Sequence, residues 1–411
     1  MKCRQFAASL AVAVTVIAGF AFPTVGAAAC TQSDSAAYIG VDGNVYLWEA
    51  CTHAILQLTV NGVPFDPQHP TKPAAYSFYA GEEQWSPDGT RLIVLRGGVA
   101  YLLRVETKRL LPLGQGISQV RWSPDGAYYL LASDRGLMND QSRLSLVDAQ
   151  TDLVIRTWSG SGPAWLDSGH ILYFSWSANS AGSWQEIAKV VSLRGVNRRL
   201  GFSIVLQGGD EIVEVTQVAS SGSAIVVQSR TIGSKLALIE LDETEPVFYR
   251  WALDAHNARA YPSTETYRWA RTDDLLAICE PPPSYDGVGP LLNDGAVTIL
   301  SPRDPQYVYI SQRCYSWTNL AWRPGSTQLA YVNRAGGLSL IDFASQEIWS
   351  VGLPGKFDRK PGPWWSGSGE LLSVLVEGHL CIGPAPAVGQ ATLDFDCPFE
   401  AIDVAWRPIP K

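Results

Sequence analysis

Five histidines, His53, His69, His170, His256 and His379, are scattered through the chain with no pair at metal-ligand spacing. His170 and His379 open apolar runs, which predicts that they pack at strand starts; His256 stands in a polar stretch with Arg259. Gly-x-Ser-x-Gly, His-Glu-x-x-His and the phosphate-binding loop are all missing. Asp273-Asp274, and Asp286 with Asp294, offer the hard oxygen ligands that Ca2+ takes, but without the Asp-x-Asp-x-Asp-Gly spacing. The expectation is no cofactor and no resident metal, with Ca2+ the one ion left to consider. Asp88 and Asp125 each stand in Ser-Pro-Asp-Gly, where an aspartate bonds the turn backbone rather than a substrate.

Those two aspartates introduce the organising feature of the chain. Trp-Ser-Pro-Asp-Gly occurs at 85–89 and again at 122–126. Weaker copies follow at 165–169, 322–325, 365–369 and 406–408, each flanked by an apolar run. A unit recurring along most of a chain marks a repeat architecture. In the copy at Trp85, 83–85 ends strand A, Ser-Pro-Asp-Gly turns, 91–95 is strand B, 99–105 strand C and 109–113 strand D. The same grammar gives 128–132, 143–147 and 154–158 after Trp122, then 170–174, 186–193 and 198–200 after Trp165. A copy without tryptophan reads 212–218, 224–228, 236–241 and 247–251. Trp269 leads 275–279, 296–300 and 307–310; Trp322 leads 329–332, 338–341 and 348–351; Trp365 leads 371–376, 379–382 and 392–395.

Two fragments remain. The C-terminal 401–408 is a strand A with its Trp406-Arg-Pro turn, and the N-terminal 36–40, 45–49 and 55–59 are strands B, C and D without an A. Together they make one more sheet from both chain ends, which closes a ring and removes its open edges.

This pattern resembles the β-propeller domains of the TolB-like, WD40-like bacterial repeat family, whose signature is the Trp-Ser-Pro-Asp-Gly turn followed by an apolar strand. The resemblance implies an all-β chain forming a single β-propeller of eight four-stranded blades, or seven if 212–251 is misread. It further implies that Trp85, Trp122, Trp165, Trp269, Trp322, Trp365 and Trp406 wedge between neighbouring blades as structural residues. It implies no reaction, because this fold hosts many functions.

Strand direction alternates, so A–B and C–D turns share one rim and B–C and D–A loops the other. The second set holds the insertions 61–82, 134–142, 175–185, 254–266, 281–295 and 352–362. Their aromatic, amide and charged residues are candidates for a binding face: Tyr76, Tyr79, Asn139, Asp140, Trp184, His256, Arg259, Tyr285, Asp286, Asn293, Asp294, Arg359 and Lys360. Such a mixture suits a protein or peptide partner, or a carbohydrate. The expected function is a non-catalytic scaffold binding a partner there. The alternative is a carbohydrate-active or other hydrolase or lyase with paired carboxylates near the central channel.

The first residues form a targeting segment. Lys2 and Arg4 precede an uncharged apolar stretch, 6–22, and small residues lead to a cleavage site before Cys30. Residues 1–29 are read as a signal peptide and 30–411 as the propeller, exported to the periplasm, cell surface or medium as a monomer with no remaining membrane span. Cys30, Cys51, Cys279, Cys314, Cys381 and Cys397 are then an even set, and proximity pairs them in that order. A lipid on Cys30 is the rival reading and would leave Cys51 over. The mature chain has 29 basic against 39 acidic side chains and no basic run, which argues against nucleic acid or anionic lipid as partner.

Overall fold

The computed structural model describes residues 34–64, 76–78, 84–133, 143–178, 184–193, 197–203, 213–218, 224–229, 236–240, 247–251, 267–270, 275–280, 295–301, 304–314, 320–333, 335–355 and 362–409. They form eight four-stranded antiparallel sheets and no helix. Seven sheets are consecutive meanders. The remaining one pairs Asp403–Trp406 with Ser35–Ile39, followed by Val45–Glu49 and Ile55–Gln57. In that closing sheet Ala36 faces Trp406 and Tyr38 faces Val404. Backbone bonds from Ile402 to Ile39 and from Arg407 to Ser35 extend the seam at both ends.

First strands of successive sheets touch one another: 403–406 meets Ser77–Phe78, Ile117–Trp122 meets Ser161–Asp167, and contacts continue through Val213–Val218, Tyr267–Trp269 and Ala321–Trp322 to Trp364–Trp365. The first strands therefore line the axis. The chain is a β-propeller.

Burial follows from this position. Middle strands have a neighbouring sheet on each face, so Gln328–Val332 and Ser35–Ile39 are buried at every residue. Outermost strands face solvent: Ile55–Gln57 is wholly exposed, and Val154–Ser159 alternates. The core is a series of apolar clusters between sheets rather than one centre. Trp165, Ile171 and Tyr173 of the third sheet pack on Leu130, Leu144 and Leu146 of the second. Trp365, Leu372 and Val374 of the seventh pack on Ala330, Leu340 and Trp349 of the sixth.

Several boundaries differ from the sequence reading. The first inner strand is Ser77–Phe78, paired with Leu95 and Val94, while Trp85 keeps only an isolated bridge to Leu92. Part of the supposed insertion 61–82 is thus ladder, because Phe78 is apolar enough to bury at the axis side while 79–83 falls outside the described residues. The third sheet extends into the supposed insertion 175–185, with His170–Ala178 pairing Trp184–Ser192. The fifth outer strand runs over Asp304–Cys314. The seventh outer strand is Asp396–Glu400 rather than 392–395. There Cys397 is bonded to Cys381, which draws the later segment to the edge, and Pro398 is tolerated because the strand is outermost.

A second disulfide joins Cys279 to Cys314 across the fifth sheet. Cys51 is also disulfide-bonded, to a residue outside the described ones. No helix among the described residues is long and apolar enough to cross a membrane.

Removing residues 401–411 strips Val404, Ala405 and half-buried Trp406 from the seam and bares the edge of Ser35–Ile39. We expect the melting temperature to fall by about 10 °C or more, or the protein to aggregate, as calorimetry and light scattering would read. An unchanged melt would contradict the seam.

Candidate functional site

The tryptophans are joined by a repeated hydrogen bond. Trp85 Nε1 donates to Ala405 O at 3.0 Å, Trp165 to Arg121 O at 3.1 Å, Trp322 to Arg268 O at 2.8 Å and Trp365 to Ala321 O at 2.9 Å. Each acceptor directly precedes the tryptophan of the preceding sheet. Trp406 follows the rule through a relay: its Nε1 donates to Ser373 Oγ, and that hydroxyl donates to Trp364 O. Trp122 departs from it. The carbonyl it would reach, Gln84 O, takes the Ile93 N–H instead, and Trp122 Nε1 has no acceptor among the described residues. Trp269 is buried on the inner strand of the fifth sheet.

The turns after these tryptophans nest. Ser86 Oγ accepts the Arg91 N–H and donates to Asp88, whose carboxylate also accepts the Thr90 N–H. Ser123, Asp125 and Ala127 repeat this arrangement. The glycines of the described turns, Gly89, Gly126, Gly325 and Gly369, have φ near +70°, and Gly89 and Gly369 lie tightly against the preceding turn. A β-carbon on Gly89 would come within 2.6 Å of Arg407 Nε. In the seventh turn Ser368 stands where Asp88 and Asp125 stand. The missing carboxylate arrives from another sheet: Asp34, 3% exposed, accepts the N–H and the hydroxyl of Ser368.

Inside this rim, inner-strand residues enclose a recess of about 130 Å³ at the ring axis. Arg268, Trp364, Trp406 and Arg407 line it, together with Gln84 and Ser366. The fifth, sixth, seventh and closing sheets all contribute. Arg268 is 7% exposed and donates Nε to Leu320 O. Arg407 lies over the Trp85 ring, its guanidinium carbon 6.0 Å from the ring centroid. Among the described residues no carboxylate lines this recess. Among the described residues no group of His, Cys, Asp and Glu is placed to hold a metal.

The sequence-derived candidates divide sharply. Tyr76 is not on a binding face: it is buried in the cluster between the closing and first sheets, with its hydroxyl on Asn61 Oδ1 and Arg96 over its ring. Its apolar ring is what the core uses, while the polar neighbours in sequence suggested a loop. Trp184 begins a strand rather than a loop. Tyr79, Asn139, Asp140, His256, Arg259, Tyr285, Asp286, Asn293, Asp294, Arg359 and Lys360 lie outside the described residues, as do Asp273-Asp274 and Cys30. His170 and His379 do open strands, but both are exposed instead of packed, His170 with Asp167 and His379 with Glu377 O. The recess residues were missed because they belong to the repeat's structural vocabulary. A partial signal was Arg in place of Ser after Trp406, which Trp322-Arg323 shares although Arg323 does not line the recess.

No protein-family model matches the chain, and no curated protein matches it. Solved structures do. Apo AztD from Citrobacter koseri is 13% identical with a TM-score of 0.54, over 91% of this chain and 98% of that one. A eukaryotic initiation factor is 13% identical at TM-score 0.53, over 92% and 100%. Dihydro-heme d1 dehydrogenase NirN, in complex with DHE, is 13% identical at 0.53, over 90% and 74%. At this identity the likeness shows the fold alone. An enzyme stands among these neighbours, so the shared shape does not decide between catalysis and binding.

Titration reports on the turns. Burial would raise Asp88, but bonds from Ser86 and Thr90 outweigh it and hold the carboxyl below its ordinary value. Asp42 is held low in the same way, by Asn44 and Tyr46 against burial. A depressed folded value stabilises above the unfolded value, about pH 4, and that contribution disappears as pH falls through the folded one. Burial, then Asp42, pushes Tyr38 up to about 12, so its contribution is complete below about pH 10 and is lost toward 12. We expect the melting temperature to decline below about pH 4 and above about pH 10. Asp88→Asn should flatten the acid limb; an acid limb of unaltered slope would contradict the assignment.

Proposed function

We propose that the chain is an exported propeller of the TolB-like, WD40-like bacterial kind, and that it binds a protein or peptide partner without catalysis. The partner sits on the rim formed by B–C and D–A connections. The observation that carries this reading is apolar exposure at that rim. Val60 is 85% exposed, Val41 50% and Val63 43%. They follow the second and last strands of the closing sheet, and they are held rather than loose. Gly62 N and Thr59 Oγ1 both bond Asn44 Oδ1, and a β-carbon on Gly43 would collide with Val63 O. Fixed, solvent-facing valines beside long insertions suit a partner's apolar surface. Among the described residues the opposite rim is made of short turns, with Leu153 its own exposed apolar residue.

The partner reading makes a direct test. Val60→Glu, alone and with Val41→Glu, should reduce capture of the partner by about tenfold or more in pull-down, with the melting temperature unmoved, since both side chains are already in water. Equal capture by wild type and variants, or measured turnover with no partner, would reject it.

Export is supported by the disulfides, which persist in oxidising compartments. We place the mature start at Cys30 and pair Cys30 with Cys51, which is disulfide-bonded. Peptide mass mapping of protein made with its first 29 residues in an exporting host should find a Cys30–Cys51 link. A diacylglyceryl mass on Cys30 would overturn this and make the chain a lipoprotein.

A further inference from the structure

We propose that the Cys381–Cys397 disulfide is a redox latch on the seam of the ring. When a dithiol reductant opens it, the outermost strand of the seventh sheet slips in register and withdraws Phe399 from the closing sheet. The latch concerns closure of the ring and stands whether or not a partner docks on either rim.

Asp403–Trp406 and Ser35–Ile39 come from opposite ends of the chain, so ladder bonds and packing join them. The approach to that seam is anchored covalently. Cys397 stands shortly before Asp403, on the outermost strand Asp396–Glu400, and is bonded to Cys381 on the neighbouring strand His379–Pro384. A bulge lies between these strands: Leu380 faces Phe399, but Ile382 faces Asp396. In a regular strand, residues two apart share a face. Here they do not. Cys381 and Cys397 pack with Trp349, Trp365 and Val374 between the sixth and seventh sheets, whereas Phe399 packs with Leu380, Tyr38 and Trp48 between the seventh and closing sheets. The bulge lets one short strand serve both faces.

The disulfide is what pins that bulge. Pro398 has no N–H to give to the ladder, and the strand is outermost in its sheet. The preceding segment already lies alongside, with Leu393 buried near Trp365 and Phe395 close over Gly383. A slip of one residue turns each side chain to the other face. Phe399 then leaves Tyr38, on whose ring it stacks at 4.8 Å between centroids. It also leaves Trp48, the ring that Trp406 of the seam packs against.

Access selects this bond. Cys397 is half-buried, while Cys279 and Cys314 are 4% and 0% exposed. A thiolate of the reductant bonds to Cys397 Sγ; the S–S bond breaks, and its electron pair leaves on Cys381 Sγ, which takes a proton. The reductant's second thiolate attacks the mixed disulfide, closes its own disulfide and releases Cys397, which takes the second proton. The dithiol is oxidised and the protein disulfide reduced. A firmly closed ring is thereby tied to an oxidising compartment.

The full-length mature protein is treated with graded dithiothreitol and alkylated, and its peptides are mapped by mass while hydrogen exchange is followed. We expect Cys381 and Cys397 to be alkylated at least about tenfold faster than Cys279 and Cys314. With that bond open, exchange should rise about tenfold in Ser35–Ile39 and Asp403–Trp406 and stay unchanged in Gln328–Val332 of the sixth sheet. Cys51, in a turn of the closing sheet, is also disulfide-bonded. A Cys381→Ala/Cys397→Ala variant keeps the Cys51 bond and should show the raised seam exchange without reductant. An unchanged seam once Cys397 is alkylated, a rise that follows Cys51 instead, or earlier opening of Cys279–Cys314 overturns the proposal. Should the double variant fail to fold, the order of alkylation and exchange in the wild type still decides.

Discussion

The structure depends on one contact made over and over: an indole N–H of one sheet given to the backbone carbonyl just ahead of the preceding sheet's tryptophan. A carbonyl on the first strand of a sheet has no strand beyond it to accept, because that strand borders the axis. Left bare beneath a buried ring, it would cost more than a typical hydrogen bond contributes. The tryptophan satisfies it and fills the wedge between two diverging sheets at the same time. One bond therefore fixes both the spacing of neighbours and their relative height. Repeated from sheet to sheet, it sets a rotation that returns the chain to its start.

The same reasoning explains how the ring closes despite two defects in the repeat. The seventh turn lacks its aspartate, and the closing sheet has no intact sequence at all. Asp34 supplies the missing carboxylate to Ser368 from the adjoining sheet. Ser373 relays the Trp406 bond to Trp364 O. Tyr38, Phe399, Trp48 and Trp406 then stack in a continuous aromatic cluster at the seam, with Tyr38 and Phe399 rings 4.8 Å apart. A sheet whose first two strands come from opposite ends of the chain has no turn to join them, and this aromatic cluster packs beside that seam.

Legibility in the sequence followed the range of the interaction concerned. Strand 247–251 and strand 371–376 were readable to the residue, because β-branched and aromatic runs between turn formers act locally. Closure by both termini was readable too, since 401–408 lacks what 36–59 supplies. The seventh outer strand was not. Thr-Leu-Asp-Phe and Asp-Cys-Pro-Phe-Glu alternate equally well, and only the Cys381–Cys397 bond selects the second. Tyr76 was misplaced for a related reason. Its neighbours are polar, and its burial depends on Asn61 and Arg96, which are distant in sequence. The axial recess was invisible from the chain because it belongs to no single repeat; it exists only once four sheets surround an axis.

The two rims differ in what variation each can tolerate. On the turn rim, Gly89 and Gly369, both at positive φ, lie tightly against the preceding turn, so an insertion in either of those turns would displace its neighbour. On the opposite rim the sequence carries its longest connections, and loops on a rigid scaffold tolerate such lengthening at small entropic cost. Change on the turn rim is confined to side chains directed at the axis. Arg407 is such a change: it stands where Ser86 and Ser123 wrap their own turns, and it uses its length to cover the next tryptophan while bringing positive charge to the recess. Arg323 makes the parallel choice over Trp365 and is anchored to Gly369 O. A structural repeat thus acquires chemical character without altering its backbone, by replacing a turn-forming serine with a cation that its neighbour's indole can hold.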